Sequence, residues 1–207
     1  EADMKANGGL LTKQDLANCT PVTNPPLIGN YRGFDVATNQ LPGGGLMILE
    51  MLNVLESFDL ASMGHNSTAY ITAVAEAMKF ATIDKDSRMA DPDFVDVAVG
   101  QLSSKPYAKS IADRIRNGEK AHVERLNMGA VESKDTTHLV VADNDGNIVN
   151  VTHSLGSSSG VITDGLGFMY NNCMMVFDPR PGHIGSLAPG KARFTAMCPT
   201  VLSKNGL

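Results

Sequence analysis

Residues 135–147, DTTHLVVADNDGN, set two threonines and a histidine directly before an apolar run that reads as a buried strand. Threonine favours strands, so a purely structural role is one reading. Chemistry is the other. A threonine hydroxyl is a weak nucleophile unless a base removes its proton. An α-amino group, with a pKa of roughly 7.7–8.0, is such a base near neutral pH. A threonine that becomes a chain terminus would carry nucleophile and base on one residue. Its β-branch would also hold the hydroxyl in one direction.

The turn that follows decides what stands opposite these residues. NDGN between two alternating runs is a hairpin signal. A two-residue Asp-Gly loop would pair Thr136 with Leu155. A three-residue loop, Asn144-Asp145-Gly146 with Gly146 left-handed, would pair Thr136 with Ser154 and His138 with Thr152. Only the second puts Leu139, Val141, Val149 and Val151 together on one face, so burial selects it. The other face then gathers Thr136, His138, Thr152 and Ser154. From the hairpin alone, a solvated sheet face dressed in Thr and Ser is the competing explanation.

Holding such a site requires a core, and 207 residues at 43% hydrophobic content suffice for one. A net charge of −5 without a basic stripe argues against a nucleic-acid partner. No apolar run approaches the length of a membrane span. Residues 1–16 lack a targeting pattern and read as a helix closed at Gly8-Gly9, then a helix start at TKQD. The final residues stop on a turn signal with no returning strand, so we expect a piece cut at both ends. Cys19, Cys173 and Cys198 show neither metal spacing nor a disulfide framework and read as ordinary thiols. Asn18, Asn66 and Asn150 begin Asn-X-Ser/Thr triplets, with Asn150 inside an expected strand and so a poor glycan site.

Residues 43–60 carry Leu46, Leu49, Leu52 and Leu55 or Phe58 at helical period. Residues 67–90 form a second expected helix capped by Asn66 or Ser67, and residues 103–121 a third capped by Ser103 or Ser104. Between the last two, DPDFVDV is a break, with Asp84, Asp86 and Arg88 read as an ion-pair cluster anchoring it. YRGFDVATN, residues 31–39, reads as one short strand. From Thr136 onward, alternation and turn residues replace helical periodicity in HLVVADNDGNIVNVTHSLG, GFMYNNCMMVF and ARFTAMCPTVL. Helices first and strands later give an α+β class. Gly43-Gly44-Gly45 lacks the Lys-Ser/Thr of a phosphate loop. His65, His153 and His183 read as cap, edge and loop residues.

The runs DTTHLVVADNDGNIVNVTHSL, GFMYNNCMMVF and AMCPT, with GGLLTKQDLA, YRGFDV, GGGLMILEMLNVLESFDL and DPDFVDV, resemble the gamma-glutamyltranspeptidase family of N-terminal nucleophile hydrolases. The resemblance implies a four-layer αββα sandwich, incomplete in this chain. It implies a precursor that cuts itself between Asp135 and Thr136, when the Thr136 hydroxyl attacks the Asp135 carbonyl and water opens the ester. Residues 1–135 would then end the large subunit and residues 136–207 begin the small one. Thr136 would be the nucleophile and Ser154, at a family threonine position, its support. The implied reaction is amide cleavage through an acyl ester on Thr136, passed to water or to an amino-acid or peptide amine. The substrate would be a small amide or γ-glutamyl compound, with Gly156, Asn172, Cys173, Thr195 and Ala196 at the substrate positions. No cofactor or metal is implied. The implied partner is the remainder of the same precursor, and the resemblance alone leads to an expected periplasmic or extracellular location.

Departures from the family pattern fall on the substrate side. Cys173 stands where the family has Gln, Val176 where it has an acid that pairs with the α-ammonium, Gly156 where it has Asn, and Ala196 where it has the second Ser of a pair. Residues 177–195 read as shorter than the family's lid-bearing segment. The family's oxyanion glycines fall after residue 207, and its carboxylate-binding Arg before residue 1. A buried charge without a partner is costly, so glutamyl preference should weaken. An acylase with non-glutamyl specificity and an unprocessed, inactive relative are the alternatives.

Overall fold

The computed structural model describes residues 1–124 and 136–205, and Asp135 lies outside them. Thr12 opens the helix Lys13–Asn18 (α2, after the short α1, Ala2–Ala6) with a capping box, its hydroxyl accepting from the Asp15 N–H. Three longer helices carry the core. α3 spans Gly45–Glu56, α4 Thr68–Arg88 under the Ser67 cap, and α6 Lys105–Arg116 under the Ser104 cap, with the short α5 (Val99–Leu102) before it. Small residues let the helices close on one another: Ala73 and Ala77 of α4 and Ala108 and Ala112 of α6 are buried with Val54, Phe58, Phe80 and Ile111. A second cluster joins Leu41, Leu46, Met89 and Leu102.

The segment read as a single strand is a hairpin. β1 (Leu27–Tyr31) and β2 (Phe34–Thr38) pair antiparallel around Arg32 and Gly33, at φ 51° and 80°. Two left-handed residues suit the twist of a tight hairpin, but Arg is an unusual choice there. Its neighbours hold it: the Arg32 N–H donates to Glu56 Oε1 at 2.5 Å and Nη2 to the Phe58 carbonyl at 2.8 Å. β1 lies close on α3, where a Cβ on Gly29 would come 2.6 Å from Leu49 Cδ2.

The second half returns to this sheet. β7 (Thr200–Ser203) pairs antiparallel with β2, giving the order β1-β2-β7 with Thr38 opposite Thr200. The Thr195 N–H donates to the Pro42 carbonyl at 2.9 Å, and Gly44 N–H to the Met197 carbonyl at 3.0 Å. The run ARFTAMCP before β7 forms no regular strand, so less of it is strand than its composition suggested. Likewise GFMYNNCMMVF holds only a short strand, β6 (Met169–Asn171), paired with β5 (Ser158–Ile162), and then a 3₁₀ turn at Cys173–Val176.

β3 (Thr136–Ala142) and β4 (Ile148–Ser154) form the hairpin in the register that the three-residue turn dictates, with Gly146 at φ 85°. Its burial differs from expectation. Leu139, Val141, Val149 and Val151 are 56, 53, 58 and 46% exposed, whereas Asn150, Thr152 and Ser154 are half-buried. Every residue of β3 is exposed, and only the polar side of β4 is half-covered, where Asn150 Nδ2 donates to the Thr200 carbonyl of the β7 segment at 2.9 Å.

The Asp84–Arg88 pair also serves a different neighbour than the DPDF break. Arg88 reaches Asp84 at 3.2 Å, the Tyr107 hydroxyl at 2.9 Å and Gln101 at 2.8 Å, tying α4 to α5 and α6. Asp86 pairs with Lys85 instead. The break is held through Asp91, whose Oδ2 accepts from the Ala192 N–H at 2.6 Å. Among the described residues no helix is long and apolar enough to cross a membrane.

Candidate active site

Thr136 opens β3 and Ser154 closes β4, so the hairpin register alone brings them together. Their hydroxyl oxygens are 3.0 Å apart. One step along the same face, His138 Nδ1 lies 2.8 Å from Thr152 Oγ1. The Ser154 Oγ also accepts from the Gly156 N–H at 3.0 Å, joining the nucleophile candidate to the turn beyond β4.

Gly156 holds that turn at φ 76°, and a Cβ on it would meet Cys173 Sγ at 3.0 Å. Asn is the other residue that tolerates the left-handed region, so Gly in place of the family Asn keeps the backbone while removing the side chain. Across the turn, the Asn172 N–H donates to the carbonyls of Leu155 and Ser157 at 3.0 and 3.2 Å. Cys173 Sγ receives Arg193 Nη2 at 3.1 Å.

These groups border a cleft of about 640 Å³. The hairpin supplies Thr136, His138, Thr152 and Ser154, with Gly156 beside them. Met175 and Val176 come from the 3₁₀ turn, and Arg193 and residues 195–198 form the remaining wall. Of the residues singled out in the sequence, Thr136, Ser154, Gly156, Thr195 and Ala196 line the cleft. Asn172 and Cys173 stand behind the lining, Asn172 occupied with the β4–β5 turn and Cys173 touching Gly156 and Arg193. A larger cavity, about 960 Å³, lies by Pro42 and Asp91 and includes none of these residues. Sequence reasoning missed Arg193; its only signal was a charge in an otherwise apolar and hydroxylic run. Burial pushes the Cys198 thiol pKa up, which keeps it neutral and removes it as a rival nucleophile.

Helix α3 fixes the far wall. Gly44, its N-cap, sits so close to Ala196 that a Cβ would lie 2.7 Å from the Ala196 carbonyl oxygen. Asn39 Nδ2 donates to the Met197 carbonyl at 3.0 Å, and the Met197 N–H to Thr195 Oγ1 at 3.3 Å. The triple glycine therefore serves close packing. Among the described residues, no group of three or more His, Cys, Asp or Glu is arranged to hold a metal ion.

Residues 1–207 match the gamma-glutamyltranspeptidase family along their whole length. The chain belongs to that family. It is 40% identical over 206 residues to the Acylase ACY 1 proenzyme of a Pseudomonas species, covering 98% of this chain and 37% of that protein. It is 37% identical over 220 residues to the Glutathione hydrolase proenzyme of Escherichia coli, covering 99% and 38%. In structure it resembles a cephalosporin acylase from Bacillus halodurans, with a TM-score of 0.80 at 31% identity, over 99% of this chain and 37% of that one. A gamma-glutamyltranspeptidase from Helicobacter pylori is 42% identical, with a TM-score of 0.54, over 56% and 33% of the two chains. The helix-then-strand organisation is thus part of the family's α+β fold. The chain spans a little over a third of the length of these curated relatives.

Proposed function

We propose that these residues form the processing and nucleophile region of an amidohydrolase or acyltransferase that works through an N-terminal threonine. The observation that carries the reading is the Thr136–Ser154 hydroxyl pair, 3.0 Å apart on the wall of an open cleft. In the precursor, the Thr136 hydroxyl attacks the Asp135 carbonyl carbon and the peptide bond shifts to an ester. That shift breaks the C–N bond and frees the Thr136 amine, and water then opens the ester, releasing the Asp135 carboxylate and returning the Thr136 hydroxyl. That amine next takes the Thr136 hydroxyl proton as Oγ1 attacks a substrate amide, and returns a proton to the departing amine. The acyl ester passes to water, or to an amine acceptor. Ser154 orients Oγ1 throughout. The two products, ending and beginning at the cut, would remain joined by the β2–β7 pairing and by the Thr195–Pro42 and Gly44–Met197 backbone bonds.

A non-glutamyl acyl group is favoured by one feature of the cleft. Val176 and Met175 line it, and among the described residues no Asp or Glu does. A substrate α-ammonium would enter without a counter-charge, which disfavours γ-glutamyl compounds. The test is turnover of γ-glutamyl-p-nitroanilide against simple acyl p-nitroanilides by the full-length protein. The acyl anilides should be cleaved with the higher kcat/KM. Good turnover of the glutamyl compound alone would overturn this specificity.

A further inference from the structure

We propose that Asp91 is a positioning residue for the cleft, holding the wall formed by residues 192–197 in place opposite the Thr136–Ser154 hairpin. The inference rests on the function proposed above and adds to it a residue that lies outside the cleft and before the Asp135–Thr136 bond.

Residues 191–199 form no regular strand, so no sheet ladder fixes them. They also stand between two hollows. Arg193 and residues 195–198 line the cleft, while Gly190 and Ala192 line the larger cavity by Pro42 and Asp91. A segment with open space on both sides gains little from packing, so individual hydrogen bonds set its place. At one end these are backbone bonds, from the Thr195 N–H to the Pro42 carbonyl at 2.9 Å and from the Gly44 N–H to the Met197 carbonyl at 3.0 Å. At the other end the Ala192 N–H donates to Asp91 Oδ2 at 2.6 Å.

Asp91 makes this bond from a fixed base. It is 6% exposed and follows Met89 and Ala90, both buried, with Met89 in the cluster of Leu41, Leu46 and Leu102. Its Oδ1 accepts from the Asp93 N–H at 3.1 Å, and its carbonyl accepts from the N–H groups of Phe94 and Val95 at 3.0 and 3.1 Å. The second carboxylate oxygen is left for Ala192, and an ionised acceptor makes a shorter and stronger bond than a neutral one. Ala192 directly precedes Arg193, which lines the cleft, so a shift at Ala192 passes into the wall. Thr136 and Ser154 are placed by their own register instead. Cleavage at Asp135–Thr136 therefore draws on the hairpin, whereas an external substrate must also meet the wall.

The experiment uses full-length Asp91→Asn and whichever of the two kinds of anilide wild type turns over best. Asparagine keeps the shape and one acceptor, but sets an NH₂ group against one of the two backbone N–H groups. A hydrogen bond to a charged group corresponds to about ten- to a hundredfold, so kcat/KM should fall by up to that factor, mainly through KM. Gel time courses should show cleavage at the wild-type rate. Hydrogen exchange read by mass spectrometry should quicken in residues 190–198 and stay as in wild type in residues 136–156. Asp93→Asn removes an exposed charge beside the same cavity, keeps this bond and should match wild type. Unchanged kcat/KM in Asp91→Asn, or unchanged exchange in residues 190–198, overturns the assignment. Loss of cleavage and turnover together makes Asp91 a residue of the fold and overturns it too. Wild-type protein that neither cleaves nor turns over either kind of anilide overturns the function, and this assignment with it.

Discussion

Replacing Ser154 by alanine tests whether the hairpin register does chemistry or only builds a sheet. The hydroxyl touches Thr136 Oγ1 at 3.0 Å and accepts the Gly156 N–H at 3.0 Å. Alanine removes the orienting partner of the proposed nucleophile and the anchor of the left-handed turn together. Each net hydrogen bond is worth about 0.5–1.5 kcal/mol, so the two supply about 1–3 kcal/mol. If both act in the transition state, the rate falls about 5- to 150-fold. The assay is a gel time course of cleavage at Asp135–Thr136 in freshly made full-length precursor, with kcat/KM on the preferred anilide. Ser154→Thr keeps the oxygen and is expected within about threefold of wild type, since a Thr hydroxyl has the same bonding capacity. Far-UV circular dichroism must be unchanged in both variants. Cleavage and turnover of Ser154→Ala within twofold of wild type would refute the reasoning and return Ser154 to a purely structural role.

Two further outcomes follow from the packing. Glu50 is buried in α3, and burial, reinforced by the neighbouring Asp84 carboxyl and opposed by Arg88, pushes its pKa up from 4.5 to about 9. In that window the unfolded chain has released this proton and the folded chain has kept it. Stability therefore falls as pH rises, by up to about 1.4 kcal/mol per pH unit. Glu50→Gln should flatten the decline in urea midpoint between pH 6 and 8 in the full-length protein, and an unchanged slope would refute the assignment. Gly44→Ala suits the helix-cap backbone at φ −78° but drives a Cβ to 2.7 Å from the Ala196 carbonyl oxygen. It should cost about 1–3 kcal/mol of stability and displace the cleft wall, lowering kcat/KM. Gly100→Ala, which meets open space in α5, is the neutral control.

Local signals in the sequence carried some elements completely. Thr12, Ser67 and Ser104 each accept from a backbone N–H at the start of the helix they were expected to cap. The hairpin register was legible because a one-residue slip would scatter the valines between both faces, and the Thr136–Ser154 pair followed from it. Non-local facts were not legible. The β2–β7 pairing joins Thr38 to Thr200 across most of the chain, and nothing near either residue announces the other. The Arg32-Gly33 turn was missed because Arg rarily adopts φ above zero, and Glu56 and Phe58, which hold it there, lie far along the chain. Arg193 escaped notice because a single charge has no periodicity. The alternation of β3 and β4 marked an apolar face correctly, yet that face is exposed among the described residues, and only Asn150, Thr152 and Ser154 on the other side are half-buried.

The intact mass of the full-length protein reads the proposed cut itself. Wild type should give two fragments, one ending at Asp135 and one beginning at Thr136 with a free amine, and Thr136→Ala a single uncut chain. A wild-type chain that stays whole under the conditions where it turns over an anilide, or a Thr136→Ala chain cut at the same bond, would contradict it.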